Sequence, residues 1–251
     1  METSNSRTYV YKLHIEQRLT GDAELPPLDI TQQKELGINL AGANYKVNFT
    51  TLKFERKVYQ PGVIEAELHF VSVDGSKASS PTDLVGALLH RQVTLTMAKQ
   101  ELGNSGKESG EQTIASNYYV HQVRPQYRTQ NNGKQNIYVK LIICSFDKLM
   151  TLSKYSRVYL AKKLSDILKK ESQMFSYTDK ALIKVDTNLK RLVYDFRGQQ
   201  AEFIQPYLVQ YNESFYDFMA RVSNRCGEFL YFEDGTLMLG LPDSTVKPIK
   251  G

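Results

Sequence analysis

The stretch Tyr207 to Asp243, YLVQYNESFYDFMARVSNRCGEFLYFEDGTLMLGLPD, reads as strand, helix, strand, turn, strand. Tyr207, Val209 and Tyr211 alternate with Leu208 and Gln210, the period of a short strand. Asn212 and Ser214 are the side chains best suited to cap a following helix, because their oxygens accept the orphan N–H groups of a first turn. Asp217, three residues after Ser214, completes a near capping box and favours the positive end of the helix dipole. Phe215, Phe218, Met219, Val222 and Cys226 recur at helical spacing and form one apolar stripe. Gly227 stands where a left-handed stop residue is wanted. Phe229, Tyr231 and Phe232 begin a strand, Asp234-Gly235 gives a hairpin turn, and Leu237, Leu239 and Leu241 alternate on the return.

The same alternation extends through the rest of the chain. Tyr9, Tyr11, Leu13 and Ile15 share one face of a first strand within Thr8 to Gln17. Residues 18–48 read as an irregular excursion, broken at Pro26-Pro27, that returns a strand near Tyr45 to Phe49. Thr50 to Ser72 reads as a hairpin turning at Pro61-Gly62. Leu52, Phe54 and Val58 lie on one face of it, and Ile64, Ala66, Leu68 and Phe70 face them. The opposite faces set Lys53 and Lys57 against Glu65 and Glu67 across the hairpin. Pattern alone favours a solvated face there over one that lines a lumen. Asp74-Gly75 opens a polar loop. Pro81-Thr82-Asp83 starts a short helix striped by Leu84, Val85, Leu88 and Leu89, and Gln92 to Met97 is a strand. Gly103 to Gln112 has the composition of a mobile loop. Ile114–Thr129 and Lys134–Phe146 form a second hairpin around Asn132-Gly133, and its apolar return strand belongs inside a sheet. A helix over about Lys163 to Phe175 presents Leu164, Ile167, Leu168 and Met174. Leu189–Tyr194 and Phe203–Tyr207 add strands to the second half. These elements predict an α+β fold, mainly antiparallel β. A barrel-like domain spans 1–155 and a smaller α+β domain spans 156–251.

Composition narrows the function. With 251 residues and 41% hydrophobic content, the chain is long enough for one large or two modest cores. Lys+Arg exceed Asp+Glu by 32 to 27, spread evenly, so charge gives little reason to expect nucleic acid. Arg124, Tyr127 and Arg128 are the residues best able to stack on bases, and covering a sheet edge with charge is the simpler role. Cys144 and Cys226 read as small core residues and not as a disulfide framework. The opening METSNSRTYVYKLHIEQ has no apolar signal-peptide core, and no apolar run reaches the ~20 residues of a membrane span. Trp is absent, and 16 Tyr and 11 Phe favour sheet over bundle.

No catalytic constellation is legible. His14, His69, His90 and His121 lack metal-ligand spacing, no Gly-x-Ser-x-Gly elbow occurs, and the loop at 103–112 lacks the phosphate-loop motif. Carboxylates are plentiful, which leaves a carboxylate-based cell-wall hydrolase as the alternative of another class. No cofactor, metal ligand or catalytic residue is assigned, and the binding residues are left open.

Val209-Gln210-Tyr211, Glu213-Ser214, Phe218, Arg221, Gly227, Tyr231-Phe232, Asp234-Gly235 and Leu239 form an ordered run. That run resembles the N-terminal hub region of VgrG, the spike protein of type VI secretion systems. Baseplate hub and late-control proteins of contractile phage tails share the region. The resemblance extends to a short helix with paired leucines before Val93-Thr94-Leu95, to Leu149-Met150-Thr151, and to Ser156-Arg157-Val158-Tyr159, so it covers roughly residues 8–243. The chain departs from the pattern at His90-Arg91, where the family often has Gly, and at Lys163 to Leu168, which lacks the usual Pro. The resemblance implies a non-enzymatic, structural hub that forms a homotrimer and docks on an Hcp-like hexameric tube ring. Baseplate proteins and effectors would be further partners, with neither nucleic acid bound nor membrane inserted by this region. It also implies assembly in the bacterial cytoplasm and ejection without a signal peptide. The second tube domain, OB-fold and spike of that family are expected outside this chain. A phage-tail or phage-like particle hub is the alternative within the same class.

Overall fold

Eight strands that alternate apolar and polar residues build one sheet, and their buried faces decide its curvature. The strands are β1 (Thr8–Arg18), β2 (Leu28–Thr31), β3 (Leu36–Leu40), β4 (Ala43–Lys57), β5 (Gln60–Ser72), β6 (Arg91–Gln100), β7 (Glu108–Thr129) and β8 (Gln135–Ser145), with helix α1 (Pro81–Leu88) between β5 and β6. The computed structural model describes residues 8–19, 26–31, 35–73, 80–100, 108–129, 135–177, 180–181, 183–189, 192–194 and 200–241. The sheet order is β2-β1-β6-β7-β8-β5-β4-β3. The antiparallel ladders of β1 with β2 and β6, of β3 with β4, of β5 with β8, and of β6 with β7 hold it in register. The edge strands β2 and β3 approach each other, so the sheet is nearly closed. Closure hides backbone edges and turns one face of every strand inward. Leu13, Ile15, Ile30, Tyr45, Val47, Ile64, Leu68, Phe70, Val93, Val139, Leu141 and Ile143 fill that interior. Each such residue contributes about 1.5–3 kcal/mol by leaving water. Tyr45 meets Phe70 edge to face at 5.6 Å, the favoured geometry for aromatic pairs.

Several positions differ from the sequence expectation, each for a local reason. The hairpin of β4 and β5 turns at Val58-Tyr59, while Pro61 and Gly62 lie inside β5. Tyr59 takes φ 62°, held by its N–H to the Leu230 carbonyl (2.7 Å) and its hydroxyl to the Glu228 carbonyl (2.8 Å). The Gly62 N–H donates to Ser145 Oγ at 2.7 Å. These long-range bonds override the local turn preference of Pro-Gly. Val58 is exposed and leaves the apolar face it was placed on. In β4 the buried side is Ala43, Tyr45, Val47 and Phe49, and after exposed Thr50 and Thr51 the inward parity passes to Leu52 and Phe54, a one-residue shift of the kind that inverts faces. In β1 the register is unbroken from Thr8 to Ile15, so Tyr9, Tyr11, Leu13 and Ile15 share one face as read; Leu13 and Ile15 are its buried members, and Val10 of the other face is buried as well. Glu65 pairs with Lys140 of β8 at 2.7 Å, and Lys53 pairs with Glu55 of its own strand. The excursion over 18–48 holds β2 and β3, and β4 already begins at Ala43. Residues 108–112, expected in a loop, begin β7, while 101–107, Asp74-Gly75 and Asn132-Gly133 lie outside the described residues. β8 lies between β7 and β5, the interior position its apolar faces require.

The turn after α1 contains the departure at His90-Arg91. Ser80 and Asp83 form a capping box at the helix start, and Leu84, Ala87 and Leu88 are its buried residues. His90 then takes φ 61°, the left-handed conformation glycine adopts freely. Its N–H donates to the Val120 carbonyl and its carbonyl accepts from the Leu19 N–H, both at 2.9 Å. Arg91 is wholly buried, and its guanidinium donates to the carbonyls of Ile15, Glu16 and Pro26. A buried charge is tolerable only when so bonded.

The second half of the chain begins with a 3-10 turn, Phe146–Thr151, followed by β9 (Lys154–Lys163) and α2 (Leu164–Ser172). Five short strands come next: β10 (Ser176–Tyr177), β11 (Lys180–Ala181), β12 (Lys184–Asn188), β13 (Leu192–Tyr194) and β14 (Gln200–Glu202). Then come β15 (Ile204–Ser214), α3 (Phe215–Cys226), β16 (Leu230–Glu233) and β17 (Thr236–Gly240). Two compact units result, Met1–Glu55 with Val63–Cys144, and Arg56–Gly62 with Ser145–Gly251. In the second, β16 and β17 turn through Asp234 (φ 46°) and Gly235 (φ 77°), the mirror-image turn that strand twist favours. β12 joins β17 in parallel. Phe215, Phe218, Met219 and Val222 of α3 are buried, as are Leu230, Phe232, Leu237 and Leu239 of the hairpin. Met174 and Phe229 are exposed where burial was expected, because α2 ends at Ser172 and the strand starts at Leu230. The architecture is α+β with mainly antiparallel strands and a barrel-like sheet.

Candidate interaction surface

Among the described residues, β9 and β15 pair only with each other, as a two-stranded ribbon. Leu160 opposes Tyr207, Val158 opposes Val209, and Tyr159 opposes Leu208. Opposite residues share a face, so the ribbon has two distinct sides. One side is buried. Tyr159 stacks on Phe218 of α3 at 5.3 Å, and Arg157 forms an ion pair with buried Glu171 of α2. The Arg157 guanidinium also lies 4.6 Å from the centre of the Tyr155 ring. The other side carries Val158 (55% exposed), Leu160 (61%) and Tyr207 (61%), with Tyr211 (78%) beyond them. Lys154 and Lys162 are also exposed, at the two ends of β9. Large apolar groups grouped this way on a folded surface mark a place where something binds.

The sequence placed Tyr207, Val209 and Tyr211 together against Leu208 and Gln210. The structure keeps that division through Gln210 and shows which side is covered. Gln210 is fully buried, and Tyr207 and Tyr211 face water. Burial of Gln210 is compensated, since its Nε2 donates to the Glu213 carbonyl (3.0 Å) and its Oε1 accepts from the Tyr159 hydroxyl (3.4 Å). A bulge follows between Gln210 and Glu213, where Asn212 takes φ 47° and donates its N–H to Ser156 Oγ. The strand therefore continues to Ser214, which is the cap of α3. Its Oγ accepts from the Asp217 N–H at 3.0 Å and donates to Asp217 Oδ2 at 2.6 Å. Gly227 ends the helix at φ 73°.

Arg221 joins the strand to the helix. Its guanidinium donates to both oxygens of Glu213 (2.5 and 3.2 Å) and to the Val209 carbonyl (2.9 Å). Glu213, Ser214 and Arg221 belong to the ordered run read from the sequence, and the structure brings them to one corner. They fix the corner at which a ribbon becomes a helix. An eight-residue separation running from a strand end into the second turn of a helix gives no periodic signal, so this pairing was not legible in the sequence.

Beneath the corner, Asp147 of the 3-10 turn is wholly buried and accepts from the Ser145 hydroxyl. Burial raises its carboxyl to about 6, against the hydrogen bond from Ser145. The Tyr216 hydroxyl is raised as well, by its own burial and then by the Asp147 charge. Among the described residues, no group of three or more His, Cys, Asp or Glu is placed to hold a metal ion. His14 bonds Asp29 and Thr96, His69 stacks on Tyr138 at 4.6 Å, and His121 bonds the Tyr119 hydroxyl. Cys144 is buried, but Cys226 is only partly covered, which corrects its placement in the core. Arg124 lies exposed on the half of β7 beyond its ladder with β6, bonded to Gln122. No described helix is long and apolar enough to cross a membrane.

Residues 64–250 match the family described as phage tail baseplate hub (GPD). Among curated proteins there is no match. Solved structures are similar to the chain at low identity. One is the E. coli c3393 protein, described as a component of the type VI secretion system with structural similarity to T4 bacteriophage tail proteins gp27 and gp5. It is 13% identical with a TM-score of 0.46, over 77% of this chain and 48% of that one. Another is the Francisella PdpA-VgrG complex. Its half-lidded form is 14% identical with a TM-score of 0.48, over 92% of this chain and 31% of that one. Its lidded form is 14% identical with a TM-score of 0.47, over 93% and 28%. The chain thus spans less than half the length of these structures.

Proposed function

The chain belongs to the phage tail baseplate hub (GPD) family, and from that premise we propose that it is a structural hub component of a contractile injection machine of the VgrG type. In this reading three copies associate, and their barrels present a ring to the hexameric inner tube. The match over residues 64–250 carries the proposal. Two physical features support it. The nearly closed sheet of β1–β8 has few free edges, so it is suited to tiling side by side. The apolar side of the β9–β15 ribbon is a surface that association would cover. Assembly in the cytoplasm followed by ejection belongs to the same proposal, as do baseplate proteins and effectors as further partners. The family's description also fits a hub of a phage tail, and the genes flanking the coding sequence decide between the two.

The test is sedimentation of the full chain at tens of micromolar, alone and with purified Hcp-type rings. The expected outcome is a species of three chains that co-sediments with the rings. A strictly monomeric protein with no ring contact overturns the proposal.

A further inference from the structure

The two strands of the ribbon differ at their edges. In an antiparallel pair every second residue turns its N–H and carbonyl away from the partner strand. β15 covers one side of β9, and among the described residues no backbone group from Ser156 to Leu160 is bonded by anything else. On β15, by contrast, Arg221 donates to the Val209 carbonyl and the Gln210 side chain to the Glu213 carbonyl. The bulged residue also lies on β15, so β9 is regular from Lys154 to Leu160, with exposed and half-buried residues alternating. That regularity ends at Ala161, which takes φ 48° where the ladder skips the pair with Pro206. A regular, unpaired edge is a template for one more strand.

The side chains of β9 indicate which strand. Its sequence, KYSRVYLAKK, carries basic residues at both ends and no acidic residue. Arg157 is paired with Glu171, whereas Lys154, Lys162 and Lys163 have no ion pair among the described residues. Lysines on an edge deter a strand of like charge, so a second β9 is a poor occupant. A strand with acidic ends meets the opposite condition. Between the lysines, Val158 and Leu160 are apolar and exposed on one side. We propose that the edge of β9 receives an extended segment of a partner protein, with apolar residues beside Val158 and Leu160 and acidic residues toward Lys154 and Lys162. Main-chain bonds to the edge supply the affinity, and the alternating side chains supply the specificity. An added strand widens the ribbon without covering its outer side, so the inference goes beyond tube docking and stands independently of it.

Amide exchange of the full chain, read residue by residue, reports occupancy of the edge. The probe is acetyl-Glu-Thr-Val-Thr-Val-Thr-Glu-amide. At saturation it is expected to slow exchange several-fold at every second amide from Ser156 to Leu160. The same peptide with Lys in place of Glu should bind about tenfold more weakly, because like charges then meet. Lys154→Glu with Lys162→Glu, at two exposed positions, should invert that preference. N-methylation separates main-chain pairing from side-chain contact. Of two probes, one methylated at the Val nitrogens and one at the Thr nitrogens, one should lose binding and the other keep it, since only alternate N–H groups face β9. Any other pattern from the methylated pair overturns the proposal, as does unchanged exchange along β9 or equal affinity for the acidic and basic probes. Slowed exchange at the same amides that grows with the protein's own concentration, with no peptide present, puts a second copy at the edge and overturns the acidic partner.

Discussion

Asp147 keeps a carboxyl where water does not reach, and the consequence is measurable. Burial raises it from 3.8 in the unfolded chain to about 6 in the folded one. Between those values the native state holds a proton that the unfolded state has released. Stability therefore falls as pH rises from about 4 to about 6, and the loss is on the order of 2–3 kcal/mol. Asp147→Asn keeps an acceptor for Ser145 and removes the titration. Urea unfolding of the second unit across pH 4–7 should show the decline in the parent and a flat profile in the variant; the same slope in both would remove Asp147 as its source. His90 offers a second residue-level test. A non-glycine residue at φ 61° carries up to about 1–2 kcal/mol of strain, least for polar residues such as His. His90→Gly should be neutral or stabilising by at most ~1 kcal/mol, and His90→Val should destabilise by more than ~1 kcal/mol, read from urea midpoints.

At the scale of elements, caps and closing bonds carry more of the specificity than strand propensity. Ser214 ends a strand and starts a helix in a single residue, and Ser214→Ala should cost about 1 kcal/mol, with Ser214→Asp close to neutral, in equilibrium unfolding. Gly240 is more constrained. Its φ is 123°, and a Cβ there would lie 1.9 Å from the Asn188 carbonyl oxygen. Gly240→Ala must push β12 off β17, so amide exchange along Lys184–Asn188 should rise to that of open chain while β16 stays protected. These elements differ in how legible they were. Ser214, the α3 stripe, Gly227 and the Asp234-Gly235 turn follow from local chemistry and could be read directly. So could the interior position of β8, apolar on both faces. The turn at Tyr59 could not, because bonds to Leu230 and Glu228, roughly 170 positions away, decide it. Gln210 inside and Tyr207 outside could not either, because alternation groups residues by side without saying which side packs on α3, and burying a glutamine while exposing a tyrosine runs against the usual preference.

For the whole molecule, the decisive question is whether the outer side of the β9–β15 ribbon is a surface for association or an accident of composition. The energetics separate the two. Side chains already in water contribute little to folding, so Leu160→Ser with Tyr207→Ser should change unfolding free energy by only about 0.5 kcal/mol per site. Residues that an assembly covers behave otherwise, since truncating a large apolar anchor at the centre of an interface costs about 2 kcal/mol or more of binding. Two such losses in every copy, repeated around a ring, are enough to dissolve an assembly that forms at micromolar concentration. The double variant should therefore melt near the parent temperature yet sediment as a monomer at concentrations where the parent associates. A control pair on the inner side, Tyr159→Ser with Phe218→Ser, breaks the 5.3 Å stack and should lower stability by several kcal/mol. If the outer pair leaves the association state unchanged while the inner pair unfolds the unit, the apolar strip has no part in assembly and contacts must be sought on the barrel sheet.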